Sequence, residues 1–168
     1  DPHPGKEFLA STDERFRPVH LATGPDGALY VADMYRGLIQ HGAYVTPYLR
    51  EQTINRKLVQ PINRGRIWRI VPENWVASKP KKLSTATSEE LVVTLSNPDG
   101  WKRDMAQRLL VERNDKTSIP SLEALALTGT NDLGRFHALW TLNGLKSSNS
   151  ALLFKLLVDK NALISSTA

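Results

Sequence analysis

Cysteine is absent from all 168 residues, which excludes disulfides, zinc–thiolate sites and a covalently attached c-type haem within them. The same absence fits either redox compartment and so locates nothing. No apolar run approaches the roughly 18 residues that a membrane-spanning helix needs. No charged-then-apolar leader opens the chain, which begins at Asp1 as a processed or cloned fragment would. There is no Gly-rich phosphate loop, no Gly-x-Ser-x-Gly elbow and no His-Glu-x-x-His helix. Those gaps argue against a self-contained hydrolase.

Hydrophobic residues make up 40% of the chain and charged residues 23%, a balance that supports a packed core rather than disorder. The net charge is +5, from 22 Lys and Arg against 17 acids, and the pI is about 9.6. Nucleic-acid binding needs a clustered basic face, but here the charges are interspersed. The densest patch, Lys79-Pro80-Lys81-Lys82, reads as a solvated linker. No nucleic-acid partner is expected.

The first half has the period of strands. Pro18–Thr23 and Ala28–Asp33 are β-prone runs separated by Gly24-Pro25-Asp26-Gly27. That step supplies a fixed φ and then a residue tolerant of positive φ, which is hairpin chemistry. A third run, Gly65–Pro72, alternates, with Ile67 and Arg69 on one face and Trp68 and Ile70 on the other. Three strands leave sheet edges unpaired, so more sheet and self-association by strand pairing are both expected. Between the second and third runs lies a long insertion, Met34–Arg64, in which Tyr48–Val59 predicts a short helix with Leu49, Thr53, Ile54 and Leu58 as its apolar rows.

From Thr87 the period becomes helical. Thr87 and Glu90 match a capping box, Asp99 is placed to cap the next helix, and Pro120 suits the first turn of a third. In that second helix Trp101, Met105 and Leu109 form one row. A fourth helix puts Leu133, Phe136 and Trp140 on one stripe with Leu139 and Leu142 beside it; a fifth, from Ser150, carries Leu152, Leu153, Leu156 and Leu157. Arg103-x-x-Ala106-x-x-x-Leu110 recurs 32 residues later as Arg135-x-x-Ala138-x-x-x-Leu142, and the same offset carries Leu122 and Leu125 onto Phe154 and Leu157. Helix pairs at this spacing predict an α-solenoid of the HEAT type, in which each pair buries its apolar face against its neighbours. A further helix is expected to begin at Ser165–Ala168. The fold class is therefore α+β: an N-terminal antiparallel β segment over residues 1–78, a linker over 79–86, and helical repeats over 87–168.

The run Phe16–Gly37, which contains Gly-Pro-Asp-Gly, Leu-Tyr-Val-Ala-Asp and Met-Tyr-Arg-Gly, resembles the last blade of a β-propeller family. That family comprises membrane-bound dehydrogenases and haem-binding proteins related to glucose/sorbosone dehydrogenases. Ile39–Arg50, Gly65–Ile70 and Gly100–Leu110 extend the resemblance over nearly the whole chain. The resemblance implies a partial propeller blade, then HEAT-like repeats, then a c-type cytochrome domain downstream, in a periplasmic or extracellular protein. It implies sugar or alcohol oxidation coupled to a c-type haem, with pyrroloquinoline quinone as the parent's cofactor and none in this segment. The remaining blades and the haem domain would be its partners. This chain carries neither earlier blades nor a Cys-x-x-Cys-His motif, so it is expected to be inactive alone.

Arg17, His20, Asp33, Tyr35, Arg36 and His41 are the one concentration of ionisable groups. In a propeller such residues can line the central channel. Arg17 and Arg36, with His20 and Tyr35, are candidates to bind an acidic quinone or the substrate, because guanidinium groups fork onto carboxylates. Asp33 and His41 are candidate bases. The competing reading is that Asp33 closes a turn or pairs with an arginine. His20, Asp33 and His41 match no compact metal-ligand spacing. Arg103 and Arg135 are expected to pair with acids near the preceding turn, such as Asp99 and Asp132. A packed His137, core positions for Trp101 and Trp140, and a junction role for Trp75 complete the expectations. A non-catalytic interaction module, docking a partner on the helical surface, is the alternative function.

Overall fold

A computed structural model of the chain describes residues 3–76 and 82–168. They form two compact units, one of residues 3–24 and 28–75 and one containing the helices from residue 82 onward. Lys79, Pro80 and Lys81 of the expected basic linker lie outside the described residues. No helix among those described is long and apolar enough to cross a membrane.

The first unit is a three-stranded antiparallel sheet, β1 (Pro18–Thr23), β2 (Leu29–Asp33) and β3 (Arg66–Ile70), in the order β1-β2-β3. The hairpin between β1 and β2 closes through the Gly24 amide, which donates to the Ala28 carbonyl at 2.9 Å. Gly27 supplies the positive φ of +78° that this turn requires. Val31 pairs with Leu21 and Trp68, and Asp33 with Pro18 and Arg66. Directly paired residues share a face, so Val31, Asp33, Arg66 and Trp68 lie on one side. His20 pairs with Ala32, and Ala32 with Ile67, which puts these three on the other side. Ala28 and Val31 are the buried hydrophobic residues described in this unit. Trp75, expected at a junction, stacks its ring 4.1 Å beneath the guanidinium of Arg69.

The expected insertion helix is present but shorter. Helix α1 spans Pro47–Asn55, with Pro47 in the first turn and the Thr46 hydroxyl accepting from the Leu49 amide. It ends where Lys57 turns left-handed, at φ +56°. Of the expected apolar rows, Thr53 is buried while Ile54 is exposed. Thr53 satisfies its hydroxyl on the Leu49 carbonyl at 2.7 Å.

The second unit is helical throughout: α2 (Ser88–Thr94), α3 (Gly100–Arg113), α4 (Ile119–Thr128), α5 (Asp132–Gly144), α6 (Ser150–Leu156) and α7 (Ala162–Thr167). Each begins as its sequence dictates. Thr87 and Glu90 close the capping box, Asp99 accepts from the Trp101 amide, and Asn131, Asn149 and Asn161 cap α5, α6 and α7. Pro120 lies in the first turn of α4. Buried pairs four residues apart face one common core: Leu91 and Leu95, Ala106 and Leu110, Leu122 and Ala126, Ala138 and Leu142, Leu152 and Leu156. Helix α5 packs against α3, α4 and α7. Close packing is tightest at Gly134, where an added Cβ would sit 2.2 Å from the Ser96 hydroxyl and 3.1 Å from its Cα.

Several sequence expectations need correction here. Trp140 is 45% exposed and Leu133 is exposed as well, so the buried stripe of α5 is Arg135, Ala138, Leu139 and Leu142. Phe154 is 72% exposed and Leu157 is exposed too. The 32-residue offset therefore holds for α3 and α5 but not for α4 and α6, whose buried pairs are 30 residues apart (Leu122 to Leu152, Ala126 to Leu156). The intervening turns differ in length, and burial follows the turns. The helix expected to begin at Ser165 is already under way there, since α7 starts at Ala162 and buries Ile164.

Candidate functional site

Asp33 ends β2 on the face that also carries Val31 and Trp68, and it is 2% exposed. A carboxylate buried this far needs all its lone pairs satisfied, and it has them. Oδ1 accepts from the backbone amides of Arg17 and Tyr35, both at 2.8 Å. Oδ2 accepts from Arg66 Nε at 3.2 Å and the Trp68 indole at 3.1 Å. Burial pushes the carboxyl upward, but the Arg17 amide, the Trp68 indole, the Tyr35 amide and Arg66 together hold it below the ordinary carboxylate value. With both oxygens accepting from two donors each, Asp33 ties the start of β1 to β2 and β3.

Tyr35 follows in the left-handed region, at φ +50°, a conformation rare for an aromatic residue. The Asp33 bond to its amide holds it there. Its ring lies 3.7 Å below the Arg66 guanidinium, which also stacks at 4.9 Å over Trp68. Arg66 further reaches Asp13 at 3.6 Å. Asp13 lies below its ordinary value, chiefly because the Arg15 amide donates to it; its partial desolvation acts the other way, and Tyr35, Arg15 and Arg66 lower it further. The structure thus brings Arg17, Asp33 and Tyr35 together, with Arg66, Trp68 and Asp13 as members that the sequence reading did not include. The alternation of Gly65–Pro72 placed Arg66 and Trp68 on one face and could have flagged them; Asp13 gave no signal.

The other candidates stand apart. His20 points to the opposite side of the sheet and is exposed. His41 caps a single 3-10 turn, its Nδ1 accepting from the Ala43 amide at 3.4 Å, with the Tyr44 ring 5.8 Å away. Arg17 donates both terminal nitrogens to backbone carbonyls, Nη1 to Phe16 at 2.8 Å and Nη2 to Gly37 at 3.2 Å. Those two bonds tie the Arg17 guanidinium to the backbone, whereas Arg36 lines a cavity with Arg50. Among the described residues no group of three His, Asp or Glu side chains is placed to hold a metal.

Residues 1–74 match the family model described as Domain of unknown function (DUF7133). The matched segment contains the whole sheet, the Asp33 cluster and the α1 insertion, and it stops short of the helical unit. No curated protein and no solved structure matches the chain.

In the helical unit, the two repeated arginines do different work. Arg135 is buried, donates from Nε to the Ala126 carbonyl at 2.9 Å, lies 3.6 Å from Asp132, and forks onto the Asp159 carboxylate. Arg103 uses Nη1 on the carbonyls of Asn97 and Pro98, at 2.7 and 2.9 Å, and pairs with no acid among the described residues. His137 is buried as expected, with Nδ1 2.7 Å from the Gln107 side-chain oxygen. Burial lowers its pKa; nearby Asp104 opposes the shift and Arg103 adds to it.

Proposed function

We propose that the chain is a junction segment of an extracytoplasmic propeller-type dehydrogenase that oxidises a sugar or alcohol and passes electrons to a c-type haem domain. On this reading β1–β3 belong to the last blade, and α2–α7 form a HEAT-like spacer. The segment contributes structure and part of a channel wall, and it does not turn over substrate by itself. The observation that carries the reading is the mismatch between the sheet and its core. Val19, Leu21, Ile67 and Trp68 are exposed on strands whose buried apolar residues are few, and β1 and β3 each have an outer edge with no partner strand among the described residues. Sheets in that condition are completed by further strands or associate through their edges. The recurring buried pairs four residues apart in α2–α6 support the repeat reading.

Exposed Phe154, Leu157 and Val158 around the end of α6 favour a second reading, an interaction module whose helical surface docks a partner. The parent coding region separates the two. Blade-like strands upstream and a Cys-x-x-Cys-His downstream are expected on the first reading. A parent with neither would overturn it and leave the second.

A further inference from the structure

Two arginines ahead of β1 hold the insertion between β2 and β3 in place. Arg15 and Arg17 are structural: Arg15 Nη2 donates to the carbonyls of Lys57 and Gln60, at 2.5 and 3.0 Å, and Arg17 holds the Gly37 carbonyl. These bonds fix the two chain segments that wall a cavity of about 360 Å3. The wall at Gly37 depends on glycine, because a Cβ there would lie 2.5 Å from the Leu58 Cβ and 2.6 Å from its carbonyl oxygen. Leu58 is in turn fixed by its amide, which donates to the Thr53 carbonyl at 2.8 Å. The cavity is therefore preformed.

Arg36 and Arg50 both line this cavity, and no carboxylate among the described residues does. Neither guanidinium has a hydrogen-bond or ion-pair partner among the described residues. The remaining wall is largely apolar, with Leu38, Ile54, Leu58 and Val59 contributing. The volume falls within the range of small-molecule sites, which pair an apolar lining with a few convergent polar groups. Two guanidiniums without a neutralising acid favour an anion, and their planar forks suit a carboxylate. Solvation of both arginines by water alone is the bland alternative, and it predicts no preference between a charged and a neutral ligand of equal size.

We propose that this cavity is a binding site for a small carboxylate with a compact apolar body, held by Arg36 and Arg50 against Leu38, Leu58 and Val59. The site lies wholly within the insertion, so the proposal stands independently of the junction reading. The test uses the full 15N-labelled chain titrated with sodium benzoate and, separately, with benzyl alcohol, followed by amide chemical shifts at constant ionic strength. Saturable shifts at Leu38, Thr53 and Leu58 are expected with benzoate, with benzyl alcohol binding at least about tenfold more weakly. Arg50→Gln and Arg36→Gln should each weaken benzoate by about tenfold, as loss of a charge-assisted fork does, while leaving benzyl alcohol unchanged and the remaining amide shifts in place. Equal affinity for the two ligands, no saturable shift, benzoate affinity unchanged in both variants, or inorganic phosphate outcompeting benzoate would each overturn the proposal.

Discussion

Replacing Asp33 with asparagine removes one charge and otherwise keeps the side chain's shape, so it isolates what the carboxylate does. Each oxygen of Asp33 accepts from two donors. Whichever way an amide turns, its NH2 group must face two N–H donors. The less costly choice keeps the oxygen toward the Arg17 and Tyr35 amides, because those belong to the backbone, and points the NH2 toward Arg66 and Trp68. Arg66 can then swing toward Asp13, which it already approaches at 3.6 Å. Two hydrogen bonds to a carboxylate are lost, one of them from a cation, at about 1.5–3 kcal/mol each, offset by the smaller desolvation of a neutral amide. The expected loss is about 2–4 kcal/mol. A domain's whole stability is about 5–15 kcal/mol, so β2 amide protection in hydrogen exchange should collapse while α5 protection persists. The pH dependence has a definite sign. Because the folded-state pKa of Asp33 is depressed, its contribution is present above the unfolded value of about 3.9 and is lost as pH falls through the folded value. Asp33→Asn should remove that acid sensitivity. Unchanged β2 protection, within about 0.5 kcal/mol, would refute the structural assignment and return Asp33 to the candidate bases.

Other outcomes follow from the helical unit. Arg135→Ala leaves the buried Ala126 carbonyl without its donor and should cost about 2–3 kcal/mol in urea unfolding followed by α5 amides. Gly134→Ala adds helix propensity worth about 0.5–1 kcal/mol, but the 2.2 Å approach to Ser96 outweighs it. A net loss of about 1–2 kcal/mol is expected, and Ser96→Ala in the same chain should recover part of it, as a double-mutant cycle would show. His137 is held below its ordinary value by burial. Stability should therefore be full above about pH 6.5 and decline as pH falls toward the folded value, because the unfolded chain takes up the proton first. His137→Gln should flatten that slope in thermal unfolding scanned from pH 7.5 to 5.

Legibility in the sequence followed the range of the interaction concerned. Caps are local chemistry, a short polar side chain reaching an amide two or three residues on, and Thr87, Glu90 and Asp99 were readable for that reason. Strand alternation is equally local, and it put Trp68 on its correct face. The Asp33 cluster is different. It joins positions 13, 17, 33, 35, 66 and 68, and proximity along the chain gathered His20, Arg36 and His41 into it only because they are near in number. Strand register, which sequence periodicity does not reveal, put His20 on the far face.

The repeat shows the same division at larger scale. Motif matching weighted the large residues, so Trp140, Phe154 and Leu157 were expected inside. The core instead closes over small and medium side chains: Ala106, Ala126 and Ala138 are fully buried beside leucines. Alanine lets helix axes approach, and a tryptophan at the same level would hold them apart. Arg135 can then enter the core because that close approach brings the Ala126 carbonyl and the Asp159 carboxylate within its reach. Arg103, at the matching position of α3, donates to the carbonyls of Asn97 and Pro98 just ahead of its helix. The motif shared by α3 and α5 therefore specifies which helix face is buried, while turn length decides which polar partners an arginine finds. Arg135→Met tests that distinction: it should destabilise the unit, whereas Arg103→Met, whose carbonyl partners are half-buried or exposed, should change the urea midpoint little. Equal losses from the two substitutions would show that the repeat position alone sets the energetic role.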